Sequence, residues 1–307
     1  MQDQDVPLCV DLDGTLIRTD LLVESALALL RRNPLYLFCF IVWLGRGRAH
    51  LKREIAARSR VDVSRLPYDG DVLDWLRAAA GTRPRILCTA ADRRLAEAVA
   101  AHVGAFDATL ASDGVSNLGG ARKRDALCAR YGSGGFDYAG NAYADLHVWR
   151  HARRAIVVDP APGLLRRVRG LCELERVFVR GGRWRAWLDA LRLHQWPKNA
   201  LVFVPMFAAH VMFVPGAMMS ALVAFLAFCL CASAAYLLND LLDLDADRRH
   251  PRKRQRPFAS GRLPLGAGLA GAPLLTLAAF AVASVLPPRF VLVLLAYGVT
   301  TLAYSLV

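Results

Sequence analysis

The sequence predicts an α/β domain that carries a helical insertion, followed by an all-α bundle of membrane-spanning helices. The chain is 55% hydrophobic and yet 21% charged, and one uniform soluble domain rarely combines the two. The long apolar runs lie almost entirely after residue 198. Before that point, short apolar runs end in polar or glycine-containing turns, as strands of an open α/β sheet do. We therefore predict two domains, over residues 1–180 and 181–307.

The net charge of +13 suits anionic lipid, nucleic acid or phosphorylated substrates. Because the basic residues cluster beside apolar segments, we expect lipid headgroups and phosphates as partners, and no nucleic acid. The seven cysteines have no zinc-site spacing, so we predict that they are reduced. The acidic start MQDQDVP does not resemble a signal peptide, which places the first domain in the cytoplasm.

The first apolar run, Pro7–Val10, ends in the segment DLDGTL. A buried strand followed by a turn would deliver Asp11 and Asp13 to the carboxyl end of the strand, where open α/β sheets bind ligands. Two carboxylates one residue apart can divide phosphate-ester chemistry between them. One attacks phosphorus and the other transfers a proton, while Mg²⁺ neutralises phosphate charge.

Three later segments complete a set with DLDGTL: RILCT (85–89), GGARKRDAL around Lys123, and FDYAGNAYADLHVW (136–149). In this order they resemble the four motifs of haloacid dehalogenase-like phosphatases, over residues 5–160. The resemblance implies a Rossmann-like α/β domain with a helical cap. It assigns Asp11 as nucleophile, Asp13 as general acid/base, Thr89 as hydrogen-bond partner of the phosphoryl group, and Lys123 as the neutralising cation. It also implies Mg²⁺ held by Asp11, Asp13, Asn141 and Asp145.

One position departs from the family, which usually has G-D-x-x-x-D where this chain has Gly140-Asn141 and then Asp145. Asn141 offers an amide oxygen without charge. Either magnesium binds more weakly or Asp145 takes a direct role, and a degenerate, inactive domain is the further alternative.

The predicted cap, about residues 16–84, contains helix signals at 21–32, 34–44 and 49–58. Its run PLYLFCFIVWL has 11 residues and is too short to span a bilayer. It either forms the cap core or rests on the membrane surface between flanking arginines. These arginines are Arg31, Arg32, Arg46 and Arg48. A last strand is predicted at 155–159, and the basic stretch 166–185 is interpreted as a linker.

Four membrane helices are predicted in the second domain, at about 199–214, 216–238, 265–286 and 290–307. Trp184, Trp187 and Trp196 mark an interface, and the basic loops 180–198 and 248–262 favour a cytoplasmic side. This gives a multi-pass protein of the cell inner membrane whose first domain is cytoplasmic. Small residues in the third segment favour close helix packing. They are Gly266, Gly268 and Gly271.

The second segment ends in NDLLDLDADRRHPRKRQRP, residues Asn239–Pro257. If the helix continues, Asn239, Asp243 and Asp247 share one face. Carboxylates converging at a helix end predict Mg²⁺, which takes oxygen ligands and is completed by substrate phosphates, and the basic run suits those phosphates. The alternative is that these charges are only the solvated end of a membrane helix.

The N-D-x-x-D-x-x-x-D pattern of this stretch resembles the first aspartate-rich motif of the UbiA-type prenyltransferase superfamily. The following HPRKRQRP, and HQWPKN at 194–199, are similar to the branch that transfers phosphoribose to a polyprenyl phosphate. The resemblance implies a partial UbiA-type fold and a Mg²⁺ site of Asp240, Asp243 and Asp247. It also implies a set of substrate-binding residues: Lys198, Asn199, Asn239, Lys253, Arg254 and Arg256.

The implied substrates are phosphoribosyl diphosphate and polyprenyl phosphate, and the phosphatase domain would remove the 5-phosphate of the lipid-linked product. Alternatives are prenylation of an aromatic ring by an isoprenyl diphosphate, a membrane-tethered small-molecule phosphatase with an incomplete transferase half, and a non-enzymatic scaffold. The family's second aspartate-rich motif is not in these 307 residues. We therefore expect a piece of a longer protein, or else a truncated reading frame.

Overall fold

A computed structural model describes residues 6–306 of the chain. It forms two compact units that divide between Gly181 and Gly182. The first is an α/β unit and the second is helical, so the predicted fold class is confirmed. Residues 1–5 and Val307, which the predicted domains and the last predicted helix include, lie outside the described residues.

The α/β unit is built on six parallel strands in the order β3-β2-β1-β4-β5-β6. The strands are β1 (Leu8–Val10), β2 (Arg85–Asp92), β3 (Ala108–Ser112), β4 (Asp137–Gly140), β5 (Arg154–Val158) and β6 (Glu173–Phe178). Successive strands build outwards from β1 on one side and from β4 on the other. The topological switch point, where such sheets bind ligands, therefore lies between β1 and β4.

Side chains that alternate along the strands fill two apolar layers, one on each face of the sheet. Leu8 and Val10 belong to one layer, and Cys9 belongs to the other. Helices α4 (Gly70–Ala78) and α5 (Arg93–Val103) contribute to the first layer. The second layer takes side chains from α6 (Ala121–Tyr131), α7 (Leu146–Trp149) and α8 (Leu164–Arg169). All seven cysteines lie within the described residues and are free, as predicted.

The cap consists of three helices between β1 and β2: α1 (Leu21–Arg32), α2 (Tyr36–Gly45) and α3 (Arg48–Arg58). It is shorter than the predicted 16–84, because Val72 and Leu76 of α4 pack on the sheet. Of the ten residues of α2, all of them described, none is buried. The prediction that this apolar run forms the core of the cap is therefore wrong.

The stretch 166–185 is not simply a linker, since α8 and the edge strand β6 lie within it. Three charged residues in β6 concealed the strand. They are Glu173, Glu175 and Arg176. An edge strand of this kind leaves much of its surface in water, so charges are tolerated there and the apolar alternation is weak.

The helical unit contains α9 (Arg183–Leu191), 3-10 turns at Leu193–Phe203, α10 (Val204–Ala208), α11 (Pro215–Leu242), α12 (Leu244–Arg249), α13 (Leu265–Ala283) and α14 (Pro288–Leu306). Within residues 6–306, α11 and α13 are the helices long and apolar enough to cross a membrane. Two shorter apolar helices are α2 and the Pro288–Ala303 part of α14.

The prediction of one continuous helix over 199–214 is wrong. In its place the chain forms 3-10 turns and the five-residue α10, and His210 has a positive φ of 57°. Two prolines explain the interruption, because proline lacks the backbone N–H that a continuous helix needs. They are Pro197 inside the 3-10 turns and Pro205 in α10.

Glycines allow a close approach to α13, as predicted. A Cβ on Gly268 would lie 2.6 Å from Cζ of Phe258, and one on Gly271 would lie 3.2 Å from Cδ1 of Leu237. Gly266 has no such role, since no described atom lies within 4 Å of the same position there.

Asp69 at the start of α4 is buried, and its Oδ2 accepts hydrogen bonds from Nε of Arg18 (3.1 Å) and Nε of Arg180 (2.7 Å). Burial alone would raise the pKa of Asp69, but the two guanidinium groups lower it. We expect Asp69→Asn to lower the stability of the α/β unit by about 1–3 kcal/mol at neutral pH. Pulse proteolysis of the intact chain across a urea series measures this.

Because the folded pKa of Asp69 is depressed, its contribution is complete above the unfolded pKa of about 3.9 and is lost as pH falls below it. The difference between the two proteins should therefore shrink in acid. The matched control is Asp74→Asn on the same helix, whose exposed ion pair with Arg77 should contribute under about 1 kcal/mol. Equal effects of the two substitutions would contradict the assignment.

Candidate functional site

The first candidate site lies at the carboxyl end of β1, at the switch point of the sheet. Oδ1 of Asp11 accepts a 2.8 Å hydrogen bond from Nζ of Lys123 in α6, and Oδ1 of Asp13 accepts one of 2.9 Å from the backbone N–H of Leu21 in α1. Gly14 turns the chain with a φ of +74°, and a Cβ there would lie 2.1 Å from Nδ2 of Asn141. The turn after β1 therefore packs tightly against the loop after β4.

A hydrogen-bond network holds Lys123 inside the protein. Its Nζ also donates to the hydroxyl of Tyr138 (2.8 Å), which donates to Oδ1 of Asp145 (2.8 Å). Burial by itself would lower the pKa of Lys123, but attraction to Asp11 and Asp145 raises it overall. The lysine is therefore a permanent buried cation beside Asp11.

The pKa values of the two aspartates that follow β1 are raised as well. Burial raises the pKa of Asp11 to about 6, and repulsion by Asp145 adds to this while Lys123 opposes it. Burial raises the pKa of Asp13 well above its ordinary value, and the charge of Asp20 adds to this. The site thus places Asp11, Asp13 and Asp145 near one another, and this concentration of carboxylates favours the binding of a cation.

The donors present fit Mg²⁺, which takes carboxylate and amide oxygens. Asp11, Asp13 and Asn141 supply these at the switch point. Both oxygens of Asp145 are engaged by protein donors, because Oδ2 accepts from the backbone N–H groups of Asn141 (3.1 Å) and Ala142 (3.0 Å). This arrangement favours a supporting role for Asp145 over a direct one. No group of three His, Cys, Asp or Glu side chains within residues 6–306 could hold a metal without such neutral donors.

The remaining predicted residue, Thr89, is fully buried in β2, where its Oγ1 accepts from the backbone N–H of Ala91 (3.0 Å). Two functional residues were not predicted. Tyr138 was indistinguishable from a core tyrosine in a strand, and Lys52 lay in a helix with many basic residues. Nζ of Lys52 donates to the carbonyl of Ala90 (2.7 Å) and to Oδ1 of Asn117 (2.8 Å).

A small pocket opens beside Asp13, between the sheet and the cap helices α1 and α3. Its lining residues are Asp13, Asp20, Leu21, Leu22, Ser25, Lys52, Ile55, Ala56, Ala91, Asp92 and Leu95. Oγ of Ser25 is buried and has no hydrogen-bond partner among the described atoms. The pocket therefore offers a cation, acids and a hydroxyl around the predicted catalytic carboxylates.

The second candidate site lies in the helical unit, where Asp240 and Asp247 are both buried. They are seven residues apart, which is about two helical turns. Nη1 of Arg256 donates to Oδ1 of Asp240 (3.1 Å) and to Oδ2 of Asp247 (2.8 Å). Arg192 also donates to Oδ1 of Asp240 through Nη2. We call these four residues the Asp–Arg cluster.

The cluster differs from the predicted arrangement of Asn239, Asp243 and Asp247 on one face. The helix α11 runs four residues past its predicted end, and Asp243 separates it from α12. Backbone hydrogen bonds continue through the break, from Asp243 to Asn239 (2.9 Å) and from Asp247 to Asp243 (2.8 Å). The shared face of Asn239, Asp243 and Asp247 stays a prediction. Asp240 and Asp247 both contact Arg256, and Arg192, which no motif indicated, contacts Asp240.

Arg256 was predicted to hold substrate phosphate, but it binds carboxylates, because these buried acids need a cation close by. Lys198, Lys253 and Arg254 are exposed and remain available to a phosphate. Nδ2 of Asn199 lies 3.3 Å from Sγ of Cys229, which sets it against α11. An apolar groove beside the cluster end of α11 is lined by α11, α13 and α14, among others by Leu238, Leu241, Leu269, Pro273, Leu295 and Leu302.

The chain thus combines an α/β domain, which has buried carboxylates and a buried lysine at its switch point, with a helical domain that contains two helices long and apolar enough to cross a membrane. Residues 200–307 match the UbiA prenyltransferase family, so this chain carries a UbiA-family domain. An uncharacterized protein of Sinorhizobium fredii, y4nM, is 36% identical over 99% of this chain. The chain spans 59% of the length of that relative.

A decaprenyl-phosphate phosphoribosyltransferase of Corynebacterium glutamicum is 47% identical over 81 residues, which are 26% of this chain and 24% of that protein. Among solved structures, a HAD-family hydrolase of Salmonella enterica serovar Typhi is similar with a TM-score of 0.40 and 14% identity. That similarity covers 53% of this chain and 65% of the other.

The contribution of the Asp–Arg cluster to the stability of the helical unit can be measured by substitution. Arg256→Gln would leave two buried carboxylates with one arginine, so we expect a loss of about 2–4 kcal/mol in the stability of the helical unit. Thermal unfolding of the intact chain in detergent micelles measures this as a lowered midpoint. The control is Arg254→Gln, an exposed neighbour that should leave the midpoint unchanged. If both variants melt like the parent, the cluster does not stabilise the unit.

Proposed function

We propose that the α/β domain is a magnesium-dependent phosphatase. The observation that carries the proposal is the pair Asp11 and Asp13 at the switch point with the buried cation Lys123, 2.8 Å from Asp11. A carboxylate held in this way is a suitable nucleophile towards phosphorus, because the ammonium group offsets negative charge on the approaching phosphate.

In the proposed reaction a carboxylate oxygen of Asp11 attacks phosphorus, and the bond to the leaving oxygen breaks. Asp13, as the general acid, gives a proton to the leaving oxygen. Asp13 then accepts a proton from water, which attacks the aspartyl phosphate and releases inorganic phosphate. Thr89 would hydrogen-bond the phosphoryl oxygens. Mg²⁺, when bound by Asp11, Asp13 and Asn141, would supply further charge neutralisation.

For the helical domain we propose the first part of a UbiA-type transferase, which moves phosphoribose from phosphoribosyl diphosphate to a polyprenyl phosphate. An acceptor phosphate oxygen would attack the sugar carbon as the diphosphate leaves. Support comes from the likeness to a decaprenyl-phosphate phosphoribosyltransferase and from the apolar groove, which suits an isoprenoid chain. Lys198, Lys253 and Arg254 would hold phosphates. The two domains together would make a membrane enzyme whose phosphatase acts on the lipid-linked product.

The Asp–Arg cluster favours a second candidate, in which this chain works as a phosphatase tethered to the membrane. Direct magnesium ligation by Asp240 and Asp247 does not fit their ion pairs with Arg192 and Arg256. In that case the helical unit would serve as an anchor. The predicted metal role of Asp243, and the substrate role of Asn239, stay predictions. An aromatic acceptor with an isoprenyl diphosphate donor is a third outcome of the assay below.

Asp11→Asn should abolish phosphatase turnover, by at least about 10³-fold, because the amide is a poor nucleophile. Release of phosphate from p-nitrophenyl phosphate by the intact chain in detergent measures this, and chelation of Mg²⁺ should have a similar effect. The control is Asp125→Asn, an exposed acid on α6. Turnover retained in Asp11→Asn would exclude the nucleophile assignment.

The transferase proposal is tested with membranes that contain the protein, labelled phosphoribosyl diphosphate and polyprenyl phosphate. We expect a lipid-soluble ribose product, which Asp11→Asn membranes should accumulate in phosphorylated form. A product formed only from isoprenyl diphosphate and an aromatic acceptor would replace the phosphoribosyl proposal. Phosphatase turnover with no transfer to either acceptor would support the tethered phosphatase.

A further inference from the structure

The cap helix α2 (Tyr36–Gly45) exposes apolar side chains that neither proposed reaction uses. Its residues YLFCFIVWLG contain no charge. Phe38 is 66% exposed and Ile41 is 67% exposed. Leu37, Val42 and Leu44 are also exposed. A group of this kind is larger than the scattered apolar residues of an ordinary surface, so it marks a surface that contacts an apolar partner.

The two sides of α2 differ in what they contact. The rings of Tyr36, Phe40 and Trp43 contact one another with centroids 5.9–6.5 Å apart, and the guanidinium group of Arg58 in α3 lies 4.9 Å from the Trp43 ring. This half-buried side fixes the helix to the cap. The exposed side, which includes Phe38 and Ile41, points away from it. A helix that is apolar all round is found in a protein core or in lipid, and α2 is not in a core.

The sequence around α2 identifies the partner by charge. Residues 25–53 contain no Asp or Glu. Four basic residues flank α2 directly, which are Arg31, Arg32, Arg46 and Arg48. Apolar residues between basic flanks match the layers of an anionic bilayer, where acyl chains lie beneath phosphate headgroups. An acidic protein surface would match the basic flanks but leave the apolar side of α2 in water, so it fits less well.

The length of α2 decides how it meets the bilayer. Ten residues of α-helix are about 15 Å long, which is about half of the hydrocarbon thickness. The helix therefore cannot span a membrane, and Pro34 and Gly47 interrupt the chain close to its two ends. The UbiA-family domain of the same chain tethers the cap to a bilayer, so a shallow contact loses little freedom.

We propose that α2 inserts its exposed side into one leaflet and places the phosphatase pocket at the membrane surface. Both neighbours of α2 line that pocket, α1 through Leu21, Leu22 and Ser25, and α3 through Lys52 and Ile55. Insertion of α2 would therefore hold α1 and α3, the two helices that line the pocket beside Asp13, close to the bilayer. This part rests on the proposed phosphatase function, and it assigns the substrate to the class of lipid-borne phosphates.

The test uses the intact chain in nanodiscs of phosphatidylcholine and phosphatidylglycerol that contain a lipid with a photoreactive diazirine deep in the acyl chain. After irradiation and trypsin digestion, labelling is read by mass spectrometry. Cleavage after Arg32 and Arg46 isolates α2 in the peptide 33–46. We expect labelling of this peptide at a level near that of α11 and α13. The internal control is the peptide 95–122, which runs from α5 to the first two residues of α6 and should stay unlabelled.

Two variants and one matched control sharpen the test. Phe38→Glu and Ile41→Glu should each reduce labelling of the peptide at least fivefold. They should also reduce turnover of a polyprenyl-linked phosphate at least fivefold, with turnover of p-nitrophenyl phosphate unchanged. Val115→Glu places the same charge at an exposed valine outside the cap and should change neither. Retained turnover of the soluble ester shows that each variant is folded.

The outcomes separate this inference from the proposed function. Peptide 33–46 as unlabelled as 95–122, or cross-linked to a second copy of the chain, overturns the membrane insertion of α2. Labelling without turnover of either substrate supports the insertion and refutes the phosphatase. Labelling with equal loss of both activities in Phe38→Glu and Ile41→Glu overturns the assignment of a lipid-borne substrate.

Discussion

The α/β site depends on the buried ammonium group of Lys123 and on the contacts that it makes. A buried ammonium group is costly unless acceptors surround it, and here Asp11, Tyr138 and Asp145 provide them. These acceptors come from β1, from β4 and from the loop after β4. The same contact therefore aligns the turn after β1 with the loop after β4. Replacing Lys123 would leave Asp11 and Asp145 buried without their cation, so the charge balance of the site and the packing of the switch point depend on the same residue.

The helical unit also pairs its buried charges with groups of opposite charge, but here the buried groups are carboxylates. Asp240 and Asp247 lie near the end of an apolar helix, where a carboxylate without a partner would be strongly disfavoured. Arg256 comes from the basic run that follows, and Arg192 comes from the segment before the 3-10 turns. The guanidinium group of Arg192 also lies 4.6 Å from the ring of Tyr236. The cluster thus joins three stretches of chain, and each of its carboxylates is paired with an arginine.

Much of the fold was predictable because it depends on local patterns. The strand before Asp11, the strand ending near Thr89 and the helix bearing Lys123 follow from apolar runs and turns. The span of α11 follows from its lack of charge. The predictions failed where the signal was weak or mixed, as in the charged edge strand β6 and in the segment 199–214, which two prolines interrupt. Tyr138 and Lys52 were missed because their residue types are equally common in roles without function.

The sequence by itself determined which side chains are available: paired acids after a strand, a lysine in the first turn of a helix, and acids followed by arginines at a membrane helix end. It also determined the two-part division, because apolar and charged residues are segregated along the chain. Only the tertiary structure decided which of these charges meet. It paired Asp240 and Asp247 through Arg256, and it left α2 exposed rather than buried. The physical reason is that pairing and burial depend on segments distant in sequence, and residue spacing carries no information about such contacts.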